Sequence, residues 1–223
     1  MSHSETMLID NPGEALAPGA SAELKRRAIR ATRVLIAQSG LDVSMDQIAA
    51  ASGVGRRSLF RHFRSRDALV AEALDSAFRW YEAQLEPVIA HDGPLDEWLQ
   101  AMLRRTHQTH LDAGRGLWQL ASAFDDELPA EFAAPNKRRR AMRRRVTRNM
   151  AEGAWRIAGA TAPVPDILVE TMSIVVSSFV THSMVHDRKR SLESLVRSSV
   201  VVLLAVIRDA LAHEPGAARA SGR

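Results

Sequence analysis

Five polar side chains between positions 56 and 62 have the types and the spacing needed to grip a nucleic acid. They are three arginines, a serine and a histidine: Arg56, Arg57, Ser58, Arg61 and His62. A guanidinium group can donate two parallel hydrogen bonds to a phosphate, or to O6 and N7 of a guanine. Because Arg56 and Arg57 come first in the run, they are the candidates for contact with base edges.

Two short helices joined by a glycine turn are predicted to position these side chains. Ser44 is a good N-cap, and a glutamine stands three residues later, where the partner in a capping box belongs. Gly53 can adopt a left-handed conformation, so the chain can reverse after the first helix. In the second helix, Leu59 and Phe63 are predicted to point together into a core. The stretch 44–63 therefore has the pattern of a helix-turn-helix.

The run GVGRRSLFRHFRSRDAL at positions 53–69 resembles the signature of the tetracycline-repressor (TetR) family. The shared features are the Gly-Val of the turn, the aromatic residue and His-Phe pair of the second helix, and the Ser-Arg-Asp-Ala-Leu run that begins the next helix. The resemblance extends over about 24–74. Phe60 stands where the family usually has Tyr, which removes a hydroxyl contact to phosphate. Arg66 replaces the usual Lys and keeps its charge, whereas Gly55 replaces a Ser or Thr that often caps the helix.

The resemblance implies which residues contact DNA. The DNA-facing positions would be Arg56, Arg57, Ser58, Phe60, Arg61 and His62. Ser44, Arg66 and His62 would bind phosphates, which fixes the register on the duplex but does not read its sequence. One such DNA-binding domain, called the head below, covers only a short stretch of DNA. The resemblance therefore implies a homodimer on a palindromic double-stranded DNA operator, with recognition helices about 34–36 Å apart.

The whole chain is predicted to be all-α, because no segment shows sustained alternation with a period of two. We expect an N-terminal three-helix helix-turn-helix DNA-binding domain over 21–68 and a larger C-terminal helical domain for ligand binding and dimerisation over 69–213. The segments 1–20 and 214–223 are predicted to be disordered tails.

Four features of the helix bounds can be predicted from single residues. Ser21 is expected to cap the first helix, and Pro87 to stop the long helix that begins after Ser65. Glycines at 114–116 should break a helix. The apolar stretch from Asp166 to about His186 is expected to form one unbroken helix.

Composition restricts the class of protein. The chain has 223 residues and no cysteine, which excludes disulfides and thiolate metal sites and fits the cytoplasm. Positions 22–70 hold ten Lys and Arg against four acids, a net charge of +6, whereas the remainder carries −2. The N-terminus lacks the pattern of a signal peptide, and no apolar run approaches the ~20 residues needed to cross a bilayer. We therefore expect one basic surface and no association with a membrane.

The C-terminal domain is predicted to form the dimer and to bind an effector. Its last two helices are apolar over more than one stripe, which favours burial against both the subunit's own body and a second copy; the alternative is a single intramolecular core. By resemblance, the domain would also enclose an effector. Large apolar and aromatic residues with a few polar ones suit an apolar or aromatic ligand. The candidate wall residues are Trp98, Met102, His107, Trp118, Phe124, Met150, Trp155, Phe179 and His182.

We expect a transcriptional regulator, a repressor that releases its operator when the ligand binds, with no cofactor and no metal. The alternative is a ligand-independent DNA-binding dimer whose body serves only dimerisation or a protein partner. Nucleotide-binding, serine-hydrolase and zinc-protease motifs are absent from the sequence, which argues against an enzyme. The pairs His107/His110 and His182/His186 have the spacing of metal ligands but no adjoining third ligand. The basic run 137–148 is either a solvated helix face or a surface for DNA or an anion.

Overall fold

The computed structural model describes residues 19–213, apart from the side chain of Asp125. Within that range the chain forms helices and no strand, which confirms the all-α prediction. Nine α-helices are described: α1 (Ala20–Ser39), α2 (Met45–Ser52), α3 (Arg56–His62), α4 (Arg66–Ile89), α5 (Leu95–Ser122), α6 (Ala133–Ile157), α7 (Asp166–Val175), α8 (Ser178–His182) and α9 (Leu192–Ala212). Two short 3₁₀ turns, Asp125–Glu127 and Ala130–Phe132, precede α6, and a π-helical turn, Ser183–Asp187, follows α8. The two predicted tails lie outside the described residues, except for Gly19 and Ala20.

The described residues divide into two compact units. The first comprises the chain up to Ala83 together with Asp112–Met142, and the second comprises Gln84–Leu111 together with the chain from Arg143 onward. Each unit buries its own apolar residues. Those of the first unit include Ile36, Ile48, Leu59, Leu74 and Trp80, and those of the second include Leu99, Met102, Met150, Leu168 and Leu203.

Glycines allow a close approach within the first unit. Gly114 has φ 72° and ψ −164°, which interrupts α5 as the sequence predicted. A β-carbon at Gly116 would lie 2.6 Å from the carbonyl oxygen of Ile36, and one at Gly114 would meet the carbonyl oxygen of Ala37. Gln119 then accepts a hydrogen bond from the backbone N–H of Leu41 at 2.7 Å. The end of α5 is thus packed directly on the C-terminal turn of α1.

Two of the predicted helix bounds are wrong. The helix α1 begins at Ala20, and its N-cap is Gly19, which makes no side-chain bond, so Ser21 is not the cap. The helix α4 continues through Pro87 to Ile89. A proline lacks one N–H and crowds the carbonyl four residues earlier, and within the last turn of a long helix this cost can be borne. Gly40 ends α1, with its N–H bonded to the oxygen of Ile36 at 3.0 Å.

The stretch from Asp166 to Asp187 is not the single helix that its composition predicted. It ends as α7 at Val175 and begins again as α8, because Ser177 takes an extended conformation and its hydroxyl accepts a bond from the N–H of Val180 at 3.1 Å. A serine that caps a new helix competes with continuation of the old one. The stretch is long and apolar enough to cross a membrane, with a mean hydropathy of 1.4. Core helices of soluble proteins can have the same length and composition.

Candidate nucleic-acid interface

The helix-turn-helix forms as the sequence predicts. Ser44 and Gln47 make a complete capping box at the start of α2: Ser44 Oγ accepts from the N–H of Gln47, and Gln47 Oε1 accepts from the N–H of Ser44 at 2.7 Å. Gly53 ends α2 in the left-handed conformation, with φ 62°. Leu59 and Phe63 are both buried, which leaves the rest of α3 facing outward. In the capping box Ser44 Oγ acts as an acceptor, so its hydroxyl hydrogen can still be donated to a phosphate.

Arg27 of α1 holds the turn, a role that the sequence did not reveal. Its guanidinium donates to the carbonyl oxygen of Ser52 at 2.7 Å and to that of Gly53 at 3.3 Å. These carbonyls lie at the C-terminal end of α2, where a helix attracts cations. Arg27 therefore stabilises the turn from within the unit, although composition alone counted it as part of the basic surface.

Arg56 has a carboxylate partner within its own head. Its Nη1 lies 2.7 Å and 2.8 Å from the two carboxylate oxygens of Asp46, and its guanidinium lies 5.6 Å from the ring centroid of Phe60. Both members of the ion pair are more than half exposed, so the pair contributes at most about 1 kcal/mol and can open. Arg56 must break its ion pair with Asp46 before it can contact DNA. The sequence did not reveal this pair, because its members are ten residues apart.

Arg57 and Arg61 are the fully presented cations of α3. Both are exposed, and Phe60 is exposed beside them. Ser58 and His62 are half-buried at the edge of the same surface. Among the described residues, no carboxylate forms an ion pair with Arg57 or Arg61. Their guanidinium groups therefore need not give up an internal partner in order to contact an acceptor outside the chain.

Arg66 is bonded within its own unit, a role that the sequence did not reveal. Its Nε donates to the carbonyl oxygen of Val43 at 2.9 Å, its Nη2 to that of Leu41 at 2.6 Å, and its Nη1 to the carboxylate of Asp67. The side chain is mostly covered. With these bonds made, Arg66 fastens the loop 41–43 that precedes α2, and two of its five N–H groups remain for a phosphate.

Replacing Arg66 with alanine is expected to lower the free energy of unfolding by about 1.5–3 kcal/mol, because two carbonyls lose a charged donor. Denaturant titration of the purified protein measures this. Arg64→Ala serves as the matched control, since Arg64 is exposed and lies two residues earlier. An unchanged midpoint for Arg66→Ala would show that these bonds contribute nothing to the stability of the head.

Arg33 is a second arginine that the charge count assigned to the basic surface, although the structure buries it. It lies on α1, is buried, and its Nη1 donates to the hydroxyl of Ser76 on α4 at 3.2 Å. A buried guanidinium cannot contribute to the basic surface. Only its register on the inner face of α1, with Ile29 and Ile36 three or four residues away, could have indicated this.

The predicted effector residues are distributed over both units. Trp118 and Phe124 belong to the first unit, and Phe124 is 73% exposed. The other seven belong to the second unit, where Trp98, Met102, His107, Met150 and Trp155 are buried, His182 is half-buried and Phe179 is 66% exposed. Phe124 and Phe179 therefore do not lie inside either unit.

Some side chains of the basic run 137–148 have partners within the chain. In the basic run 137–148, Arg138 pairs with Asp75 and Arg143 donates to the carbonyl oxygen of Ser173 at 2.9 Å. Most of the run is exposed, as a solvated helix face would be.

Within residues 19–213, no group of three or more His, Cys, Asp and Glu could hold a metal ion.

Comparison with known proteins agrees with this geometry. Residues 28–73 match the family model described as "Bacterial regulatory proteins, tetR family". Two solved structures share the fold. A putative transcriptional regulator from Pseudomonas aeruginosa PAO1 has a TM-score of 0.62 and 16% identity, over 89% of this chain and 97% of that one. A tetR-family transcriptional regulator from Streptomyces coelicolor has a TM-score of 0.65 and 20% identity, over 90% and 93%. No curated protein matches the sequence.

The matched family consists of DNA-binding regulators and not of enzymes, which agrees with the function expected from the sequence. The matched segment contains the capping box, the left-handed turn and the exposed arginines of α3. Residues 28–73 therefore resemble the N-terminal helix-turn-helix domain of tetR-family regulatory proteins, and the chain shares its fold with two solved transcriptional regulators.

Proposed function

We propose that the protein is a homodimeric repressor that binds a palindromic operator through α3 and leaves it when a small molecule binds. The observation that carries the DNA-binding part is the exposure of Arg57 and Arg61 on a helix whose opposite side is anchored by buried Leu59 and Phe63. This arrangement presents two unpaired guanidinium groups to the major groove.

Within this proposal the side chains of α3 divide their work. Arg57 reads base edges, preferring the O6 and N7 acceptors of guanine. Arg61, His62 and Ser44 hold phosphates, and Ser58 and Phe60 face the groove, where the ring of Phe60 suits a thymine methyl group or a sugar. Arg56 joins the base-reading set once its exposed pair with Asp46 opens. Arg66, which the resemblance assigns to a phosphate contact, also positions the loop before α2.

Arg57→Ala is expected to weaken operator binding by about 1–3 kcal/mol and to relax the preference at one base pair. Gel-shift titrations of every single-base operator variant measure both effects. Arg30→Ala is the matched control, because Arg30 is an exposed arginine of the same domain that lies on α1 and not on the recognition helix. An equal loss of affinity for all operator variants would mean that Arg57 binds phosphate and does not read the sequence.

The homodimer in this proposal uses α7 and α9, which pack on each other in the second unit. Exposed Ser198, Val201, Val202 and Ala205 follow each other on α9 at spacings of three and four residues, and we refer to these four residues as the α9 stripe. On α7, Ile167 and Ile174 are exposed two turns apart. Small and apolar exposed residues on neighbouring helices are suited to close packing against a second copy.

The effector in this proposal binds the second unit, whose buried Trp98, Met102, His107, Met150 and Trp155 offer aromatic and apolar surface. Binding would favour an arrangement of the dimer in which the two heads no longer fit successive major grooves. We propose that residues 21–68 act as the DNA-binding part, that 69–213 act as the regulatory and dimerising part, and that the protein acts in the cytoplasm.

The experiment that tests this function has two steps. The pure full-length protein is first mixed with fragmented genomic DNA, and the retained fragments are sequenced. We expect a palindromic motif with half-sites about one helical turn apart. Small molecules are then screened for release of that DNA. Retention without a shared motif would contradict sequence-specific binding, and a motif that no compound releases would favour a ligand-independent dimer.

A further inference from the structure

Two histidines of the second unit share one threonine. His107 and His110 on α5 each place Nδ1 near Oγ1 of Thr181 on α8, at 2.9 Å and 3.0 Å. The two imidazole rings have centroids 6.4 Å apart. All three side chains are buried, and His107 and Thr181 have no exposed surface. The three side chains therefore form one buried, hydrogen-bonded polar cluster.

The hydrogen bonds of Thr181 determine where the protons of both rings lie. A threonine hydroxyl has one hydrogen to donate and two lone pairs with which to accept. Thr181 Oγ1 lies 3.1 Å from the carbonyl oxygen of Ser177, which can only accept, so the hydroxyl hydrogen is donated there. The two lone pairs of Oγ1 then accept from Nδ1–H of both histidines. Each neutral ring consequently carries its proton on Nδ1, and Nε2 is an acceptor.

Burial keeps both rings in this neutral form. It lowers the pKa of His107 to about 4 and, together with the neighbouring His107, the pKa of His110 to about 3. Near neutral pH neither ring gains the second proton that would turn Nε2 into a donor. The distribution of protons set by Thr181 therefore holds under physiological conditions.

The acceptor of His107 has no donor within the chain. His107 Nε2 is fully buried, and no N–H or O–H group among residues 19–213 forms a hydrogen bond with it. A buried acceptor without a donor is unfavourable, because it has lost its hydrogen bond to water and gained none in return. Trp98 Nε1 is also buried without an acceptor, but it lies nine residues earlier, on the opposite side of α5 at about 3.6 residues per turn. The two atoms therefore cannot satisfy each other.

We propose that His107 is the polar recognition point for the effector, and that the effector is an uncharged molecule whose hydroxyl or N–H group donates a hydrogen bond to His107 Nε2. This inference rests on the proposed function, in which the second unit binds a small molecule. A carboxylate is excluded by the same chemistry, because it has no hydrogen to donate and because burying its charge beside a neutral imidazole is unfavourable. A molecule that offers only an acceptor, such as an ether or a ketone, leaves Nε2 unsatisfied.

Phenol, anisole and benzoate form a matched set of probes, because they share a ring and differ in one substituent. The hydroxyl of phenol donates, the methoxy group of anisole only accepts, and the carboxylate of benzoate is charged. On the full-length protein at neutral pH, we expect phenol to bind about tenfold more tightly than anisole, and benzoate to bind most weakly. Long-range ¹H–¹⁵N NMR of the imidazoles should show an unprotonated Nε2 on His107, whose resonance phenol shifts and anisole does not.

Two variants assign the effect. His107→Leu should bring the affinities for phenol and anisole to within about twofold of each other, whereas His186→Gln, at an exposed histidine of the same unit, should leave the tenfold preference unchanged. Circular dichroism checks that each variant folds. If His107→Leu does not fold, the ranking of the probes and the NMR tautomer in the wild-type protein test the proposal without it.

Three outcomes overturn the proposal: a protonated Nε2 in the free protein, equal or absent binding of phenol and anisole, or an Nε2 resonance that phenol does not move because a bound water is already the donor. Operator release is measured separately. Phenol that binds as described but releases no DNA counts against the proposed function alone. A compound that releases DNA equally well from the wild type and from His107→Leu counts against the role of His107 alone.

Discussion

Val201→Glu is expected to convert the protein into a monomer and to weaken operator binding by at least about 100-fold. Val201 is 63% exposed in the single chain and lies in the middle of the α9 stripe. In a two-fold symmetric dimer each substitution appears twice, so two carboxylates would be buried without partners. An uncompensated buried charge costs about 3–5 kcal/mol, which exceeds the roughly 2.7 kcal/mol that a 100-fold loss requires.

Sedimentation velocity measures the loss of the dimer, and gel-shift titration measures the loss of operator affinity. Ala101→Glu is the matched control, because it adds the same charge to an exposed position of α5 in the same unit. It should leave both quantities unchanged. A Val201→Glu protein that stays dimeric would place the interface elsewhere, and the exposed apolar residues of α7 and α9 would then need another partner.

Acidification is expected to destabilise the second unit well before its carboxylates are protonated. The folded-state pKa of His107 is about 4 and that of His110 about 3, against 6.5 for an unburied histidine. Burial is the main cause for both, and it also lowers the pKa of His182. Between these values and pH 6.5 the unfolded chain binds more protons than the folded one, so stability falls as the pH falls. For His107 alone the loss amounts to roughly 3 kcal/mol by about pH 4.

Urea unfolding at a series of pH values from about 7.5 to 4.5 measures this loss. Other groups contribute to the curve, so the informative quantity is the difference between proteins. His107→Gln should flatten the dependence below pH 6.5, whatever its effect on stability at neutral pH. His91→Gln, at an exposed histidine of the same unit that lies outside this group of imidazoles, is the control. The same curve for the wild type and His107→Gln would show that His107 is not held neutral by burial.

Local features of the head could be predicted because each depends on residues close together in the sequence. The capping box at Ser44, the left-handed turn at Gly53 and the uncapped start of α3 at Gly55 all appear as expected. The interruption of α5 at Gly114 is likewise a local effect of glycine. Such features need only backbone preferences and hydrogen bonds within a few residues.

Partners far apart in the sequence could not be predicted. Arg56 and Asp46 are ten residues apart, Arg27 and Ser52 twenty-five, and Arg66 and Leu41 also twenty-five. Charge counts treat all these arginines alike, although the fold assigns some of them to carbonyls of its own turns and leaves Arg57 exposed. Since the choice depends on which carbonyl or carboxylate the fold brings near, the sequence pattern cannot make it.

The face of α9 that we propose for the dimer could not be identified from the sequence, for a related reason. The most apolar residues, such as Leu195, Val200 and Leu203, are those that the unit buries itself. The α9 stripe is milder in composition, because two of its four members are serine and alanine. Hydrophobicity alone therefore indicated a helix with two covered faces, but it did not identify which face remains for a partner.

The contact between α1 and the end of α5 has a consequence for how the protein can evolve. The atoms that would collide with a β-carbon at positions 114 and 116 include main-chain oxygens, those of Ala37 and Ile36. No compensating change of side chain on α1 can move such an atom. A lineage that loses either glycine must shift a backbone, whereas exposed neighbours such as Arg115 are free to drift.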